Sequence, residues 1–189
     1  MSKGLAQHIA SLHAMQGTEV RVGWFEENKY ANGQSVAGIM AQNEYGGAIA
    51  VPARTTTIYR SVDEKTGDFK NGGKFVKASK SNFATTHEVP AHTITIPSRP
   101  LMRQTASVVN QKIGGFLNRR VADVMKGKLE AEQVPKLIGE AVLNEISNQF
   151  KSGGFVPNAP STVAKKGFNK PLIDSAIASQ SVQAKVFKS

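Results

Sequence analysis

Residues Thr93 to Met125 constrain the chain more than any other stretch. They open T-I-T-I-P-S-R-P, an alternating strand pattern that Pro97 and Pro100 stop. In the run that follows, Leu101, Val108, Val109, Ile113, Phe116, Leu117, Val121 and Val124 recur at helical spacing, on one apolar stripe. Ser98 is placed to cap that helix, and Pro100 suits its first turn, where a missing N–H costs little. A strand handing directly to a long amphipathic helix is the expected core unit.

Other elements follow from the same patterns. Leu5, Ile9, Leu12 and Met15 predict a short helix from Gly4 to Met15, ended by Gly17. Glu19 to Phe25 alternates, with Val20, Val22 and Trp24 on one face, and predicts a strand with Trp24 in the core. Gly23 within it suggests a bulge or a close neighbour. Ser35 caps a helix holding Val36, Ile39 and Met40, which stops at Gly46-Gly47. Asn43-Glu44-Tyr45 reads as the local packing of that helix end. Thr55 to Arg60 and Lys74 to Ser79 read as the arms of a long hairpin with a polar tip, followed by a loop over Ser79 to Val89 and a strand from Pro90 to Ile96. Val134, Leu137, Ile138, Ala141, Val142, Ile146 and Phe150 mark a second long helix from Glu130 to Phe150, with Gly153-Gly154 beyond it. After Phe155 the chain reads as irregular, with Asn158, Ser161 and Thr162 as local caps before a short helix. Ile177 to Phe187 reads as a short helix and a last strand.

Composition narrows the chemistry. At 189 residues and 40% hydrophobic the chain can build one core. It has no cysteine, which excludes disulfides and thiolate metal sites and fits the cytosol. The first residues lack the apolar run of a signal peptide, and no segment approaches the ~20 apolar residues a bilayer requires. The net charge of +10 suits nucleic acid or an acidic partner, but the basic residues are dispersed and aromatics do not interleave with them.

The glycines around Gly67 to Lys74 fail as a phosphate loop. Asp68 stands where that motif needs its first glycine, and Phe75 where it needs Ser or Thr. His8 and His13 fall on different helix faces, His87 and His92 flank Pro90, and no zinc spacing occurs. No serine sits in a nucleophile-elbow pattern and no acid pair clusters. The expectation is no catalytic residue, no metal ligand and no cofactor.

Five stretches, in order, fit one pattern. They are Val20-Arg21-Val22-Gly23-Trp24-Phe25, Ala41-Gln42-Asn43-Glu44-Tyr45-Gly46, Ile96-Pro97-Ser98-Arg99-Pro100-Leu101, Leu137-Ile138-Gly139, and Pro157-Asn158-Ala159-Pro160-Ser161-Thr162 with Lys166-Gly167 and Pro171-Leu172-Ile173-Asp174-Ser175. Together they resemble the neck and tail-completion proteins of tailed phages, the virion-morphogenesis group of tail components. Ala176 departs from the glycine usual there, and residues 55 to 95 are longer than in short members. The resemblance implies a non-enzymatic structural protein of the virion, assembled in the host cytoplasm. It would form a ring at the neck or tail-completion position that joins head and tail around the DNA path. Its partners would be copies of itself, other neck and tail proteins and, non-specifically, packaged DNA, with no membrane. The competing expectation is a basic DNA-binding or packaging accessory protein.

The expected fold is α+β: a small antiparallel sheet packed against two long helices, with an inserted β-hairpin and an extended C-terminal segment. The body spans 1–154 with the hairpin at about 55–95. Residues 155–189 belong to the same domain or form an assembly arm. Candidate subunit or partner contacts are Arg54, Arg99, Lys70, Lys74, Lys77, Asn158, Lys166 and Asp174. For Arg99 two readings stand: a bridge between subunits, or a pair with a carboxylate such as Glu44. The hairpin lysines are either a solvated face or a contact for DNA or a partner.

Overall fold

The computed structural model of the protein describes residues 3–13, 16–173 and 176–188. The fold is α+β, as expected. The chain divides into two units: Met1–Gly47 with Pro97–Ser189, and Ala48–Ile96. Met15 lies outside the described residues.

The first unit contains α1 (Lys3–His13), β1 (Thr18–Gly23), α2 (Val36–Tyr45), α3 (Leu101–Met125), α4 (Val134–Ser152), α5 (Pro160–Lys166), α6 (Ile177–Gln180) and β6 (Gln183–Lys188). β1 and β6 pair antiparallel, from Thr18 opposite Lys188 to Gly23 opposite Gln183. The last strand therefore closes a sheet begun near the other end of the chain. Gly23 forms no bulge there and is the final residue of the ladder. The sheet lies on α4, which packs against α3.

Gly139 explains how closely sheet and helix meet. A Cβ built at Gly139 would stand 2.7 Å from the Ala184 Cβ and 3.5 Å from Val20 Cγ1. Both neighbours are on the sheet, one on each strand, and neither is the loose end of a long side chain.

Val36, Met40, Leu101, Ile146, Phe150 and Ala178 form the main core, with Val22, Trp24, Leu172, Ile173 and Ile177 packed on its margin. Trp24 meets Phe150 edge to face at 6.3 Å and donates its indole N–H to the Ala178 carbonyl at 2.7 Å. The C-terminal segment is thus part of this core. A second cluster, Val124, Ala131 and Val134, holds the turn between α3 and α4. There the Glu130 and Gln133 side chains form a reciprocal capping box.

The stripe expected along α3 is buried only at its ends. Leu101, Thr105 and Val124 are enclosed, while Val108, Val109, Ile113, Phe116 and Leu117 are half-buried and Val121 is exposed. Val109, Ile113 and Phe116 line an open groove between α3 and α4. An aspartate at Val109 therefore reaches water, and the helix tolerates it better than its periodicity suggests.

In the second unit, β2 (Gly47–Val51) pairs with β5 (His92–Ile96), and β3 (Arg54–Arg60) pairs antiparallel with β4 (Phe83–Val89). The hairpin exists, but its returning arm is Phe83–Val89 and not Lys74 to Ser79. The latter contributes a single ladder-like bond, Val76 N–H to the Tyr59 carbonyl at 2.9 Å. Pro52 and Pro90 interrupt the two arms, as residues without an N–H must. The tip orders itself locally: Asn82 bonds both the N–H and the carbonyl of Val62, at 2.7 and 2.8 Å. Asp63 accepts the Lys65 N–H, and that bond holds its carboxyl below the usual range. Arg60 stacks on Phe69 and Phe75, and Phe69 meets Phe83 at 5.7 Å. No residue of this unit is buried.

Glycine substitutions in the two long helices should have opposite signs. Gly139→Ala should destabilise the protein by about 1–3 kcal/mol through overpacking. Gly114→Ala in α3, where a Cβ meets nothing within 4 Å, should stabilise it by up to ~1 kcal/mol. Chemical denaturation of both variants checks this, and a stabilising Gly139→Ala would show that the sheet does not rest on α4.

Candidate functional site

Three of the five stretches that carry the sequence pattern meet where α2 ends and α3 begins. An α-helix leaves its first N–H groups without partners. The residue flanking α3, Pro100, supplies no side-chain cap. Ser98 does not supply it either, since its hydroxyl donates to the Glu44 carbonyl at 2.8 Å. The cap comes from Glu44 itself, at the end of α2. Its carboxylate accepts the Met102 N–H at 2.8 Å and the Arg103 N–H at 3.0 Å. A buried carboxylate at a helix N-terminus is favoured by the aligned backbone dipoles. Glu44 is only 6% exposed.

Arg103 completes the charge balance. Its Nε donates to Glu44 Oε1 at 3.1 Å, and its Nη2 donates to the Glu44 carbonyl at 2.6 Å. Its guanidinium also lies over the Tyr45 ring, which is itself exposed.

Arg99 is largely enclosed by its own chain. It does not pair with Glu44, and at 8% exposure it offers little to a neighbouring subunit. Its Nε donates to the Val156 carbonyl at 3.0 Å and its Nη1 to Asn43 Oδ1 at 3.0 Å. Its Nη2 reaches the Pro157 carbonyl at 3.3 Å and Asn158 Oδ1 at 3.5 Å. Burial lowers the guanidinium pKa, and an arginine in a protein keeps its charge. The charge is thus dispersed over neutral carbonyl and amide oxygens. Asn43 is fixed in turn by its own Nδ2 bond to the Ile39 carbonyl at 2.9 Å.

Asn158 is half-buried, and its backbone N–H donates to Asn169 Oδ1 at 3.0 Å. It does not cap the following helix, nor do Ser161 and Thr162, since α5 has no side-chain cap. The Lys166 ammonium donates to the Lys170 carbonyl at 3.0 Å and to the Ile173 carbonyl, and lies over the Phe168 ring. Arg99 therefore fastens the start of the segment, Val156 to Asn158, to the body, while Asn158 and Lys166 tie the segment to itself. Asp174 lies outside the described residues.

Ala176, where the resembling family has glycine, adopts φ 61° and ψ 0°. That left-handed conformation is the one glycine favours. The alanine carries the strain of that conformation.

The remaining candidates belong to the second unit. Arg54, Lys70, Lys74 and Lys77 are all exposed. Lys70 faces Asp63 at 3.8 Å, while Arg54, Lys74 and Lys77 have no ion-pair partner among the described residues. His87 bonds Thr85 Oγ1 and His92 bonds the Pro90 carbonyl, both locally. Among the described residues, no group of three His, Cys, Asp or Glu could hold a metal, and no helix is long and apolar enough to cross a membrane.

Sequence reasoning missed Glu44 as the cap of α3. The available signal was a helix start whose flanking residue is proline, together with an acidic residue beside a glycine helix stop. No known protein family, no curated protein and no solved structure matches the chain.

Arg99→Lys should destabilise the body by about 2 kcal/mol, because one ammonium cannot reach the several oxygens that the planar guanidinium spans. Limited proteolysis should then cut first between Val156 and Asn169. Wild-type resistance there would remove Arg99 as the fastener of that segment. Independently, Ala176→Gly should raise stability by ~1 kcal/mol, since it relieves a left-handed alanine. Calorimetry reads it directly, and a lowered midpoint would mean that the turn is not strained.

Proposed function

We propose that this chain is a structural subunit of a tailed-phage virion, without catalytic activity. It forms a ring of identical copies at the neck or tail-completion position, where it joins head and tail around the DNA path. The observation that carries the reading is the convergence of three of the five resembling stretches. Asn43-Glu44, Ser98-Arg99 and Asn158 are far apart in sequence and meet in one fastening. A shared pattern that serves a shared fold is what a family of structural subunits requires.

The rest of the chain suits assembly. The second unit has no interior of its own, and a two-stranded hairpin is marginally stable in water. Such a segment gains most of its order by contact with something else. The net charge of +10 is compatible with a ring through which phosphate passes without being read.

A second reading, a basic DNA-binding or packaging accessory protein, is favoured by the exposed Lys74 and Lys77 without ion-pair partners. Salt separates the two. Like-charged copies repel, so salt near 0.3 M should strengthen ring formation by screening. DNA affinity resting on phosphate contacts should instead fall steeply over the same range.

The expected outcome is a closed ring in mass photometry that persists or grows with salt. Phage particles lacking the protein should show unjoined heads and tails in electron micrographs. Deleting Asp63 to Gly73 should leave the body's thermal unfolding nearly unchanged while impairing assembly. A salt-sensitive monomer on DNA would overturn the ring reading and establish the second.

A further inference from the structure

Over the chain as a whole, cations and aromatic rings do not interleave, but from Phe69 to Phe83 they do. That stretch holds Phe69, Phe75 and Phe83 with Lys70, Lys74, Lys77 and Lys80, and it contains no aspartate or glutamate. The hairpin gathers its rings around one residue, Arg60. Phe83 stands opposite Arg60 in the β3–β4 register, on the same face of the pair. The Lys70 N–H bonds the Ser61 carbonyl at 2.8 Å and the Val76 N–H bonds the Tyr59 carbonyl at 2.9 Å, so the chain between them runs beside β3. The Arg60 guanidinium lies 5.1 Å over the Phe69 ring and 5.4 Å over the Phe75 ring, and Phe69 meets Phe83 edge to face.

Two properties of this cluster point to a ligand. Packed rings normally leave water, yet Phe75 is 69% exposed, Phe69 45% and Phe83 40%. A guanidinium normally finds an anion, yet Arg60 has no ion-pair partner among the described residues, and its Nε is shielded from water without a hydrogen-bond partner. Lys74, Lys77 and Lys80 are exposed and have no ion-pair partner there either. The surface therefore lacks two things at once: a flat apolar group over its rings and negative charge beside its cations. A nucleotide supplies both in one unit, a base that stacks and a phosphate that pairs.

We propose that this face of the hairpin binds single-stranded nucleic acid without reading its sequence. A base stacks on Phe75, and the phosphates beside it are drawn to Arg60 and the lysines. The strand is single because a duplex keeps the faces of its bases inside the stack. A lipid surface fits less well, since burying the rings would take the guanidinium packed on them out of water. The inference goes beyond both readings above, which involve phosphate alone, and it does not depend on the ring. One stacking platform and a few cations make a weak site. With about three phosphates neutralised, log affinity falls against log salt with a slope of about −2.

The test is fluorescence anisotropy with the full-length protein at about 50 mM salt, where phosphate contacts are strong. The probes are labelled oligothymidylate and oligouridylate, the same backbone without bases, and a duplex. Binding of either single strand supports the proposal, and the tighter one names the source. Phe75→Ala and Phe75→Leu should each weaken the single strand about ten-fold and leave the baseless strand and the duplex unchanged. Phe75→Trp should keep the affinity, and its added emission should be quenched by the single strand. Lys74→Ala with Lys77→Ala should flatten the salt slope by about 1. Phe75 is exposed enough that its variants should unfold at the wild-type temperature.

Equal single-strand affinity in wild type and Phe75→Ala would leave charge alone at work and overturn the proposal. Absence of single-strand binding at low salt overturns it as well. So does binding to anionic phospholipid vesicles in place of the oligomers, retained by Phe75→Leu, which would make the face a membrane contact. A wild-type chain that forms no ring overturns the ring reading and leaves this proposal standing.

Discussion

The Glu44 carboxylate accepts the free N–H groups of Met102 and Arg103 from within the body, and much of the first unit depends on it. That one side chain fixes where α3 starts, at what angle the chain enters it, and how α2 meets it. Removing it would leave two helical N–H groups and the Arg103 Nε without their acceptor, a cost on the order of 3 kcal/mol. The Arg99 backbone N–H, bonded to the Asn43 carbonyl, sets the adjacent residue in the same frame. From that frame the Arg99 guanidinium reaches out and holds the Val156–Asn158 turn. One polar cluster thereby ties three sequence-distant segments to the N-terminal end of the longest helix.

Such a cluster is an unusual use of buried charge. A buried ion pair must offset its own desolvation, and often does not. Here Glu44 meets that cost with backbone N–H donors and a half-exposed arginine. Arg99 meets it with carbonyl oxygens alone. Backbone groups near a helix end lack intrahelical partners in any case, so the charged side chains use acceptors and donors that would otherwise require water. The gain is directional: apolar packing around Leu101 and Ile146 tolerates sliding, whereas a guanidinium bonded to several oxygens does not.

The sequence was legible where local chemistry decides. Ser35 caps α2 through the Gly38 N–H, Gly46 ends it with a positive φ, and both were readable from residue type and spacing. The alternation of β1 and the periodicity of α4 were readable because one face of each is covered. The arm Phe83–Val89 was not, since alternation reports burial and the hairpin buries nothing on either face. For the same reason the α3 stripe read as continuous core when its middle is an open groove: apolar spacing shows that a face wants cover and not what covers it. The Glu44 cap and the pairing of β1 with β6 join residues far apart in sequence, and no local pattern encodes them. In the site, the partners of Arg99 were legible only in three dimensions.

That division between the units bears on what a motif can mean in a chain of this kind. Asn43, Glu44, Arg99, Asn158 and Lys166 stand out because they carry buried or half-buried polar bonds, and such bonds tolerate few substitutes. An assembly contact has looser demands: area, shape and an apolar face, which many residues satisfy. A recognisable pattern therefore gathers at the fastening. Ala176 illustrates the limit of the rule from the other side. Its turn requires a left-handed residue, glycine would serve at no cost, and the alanine is held there by a body rigid enough to impose the conformation.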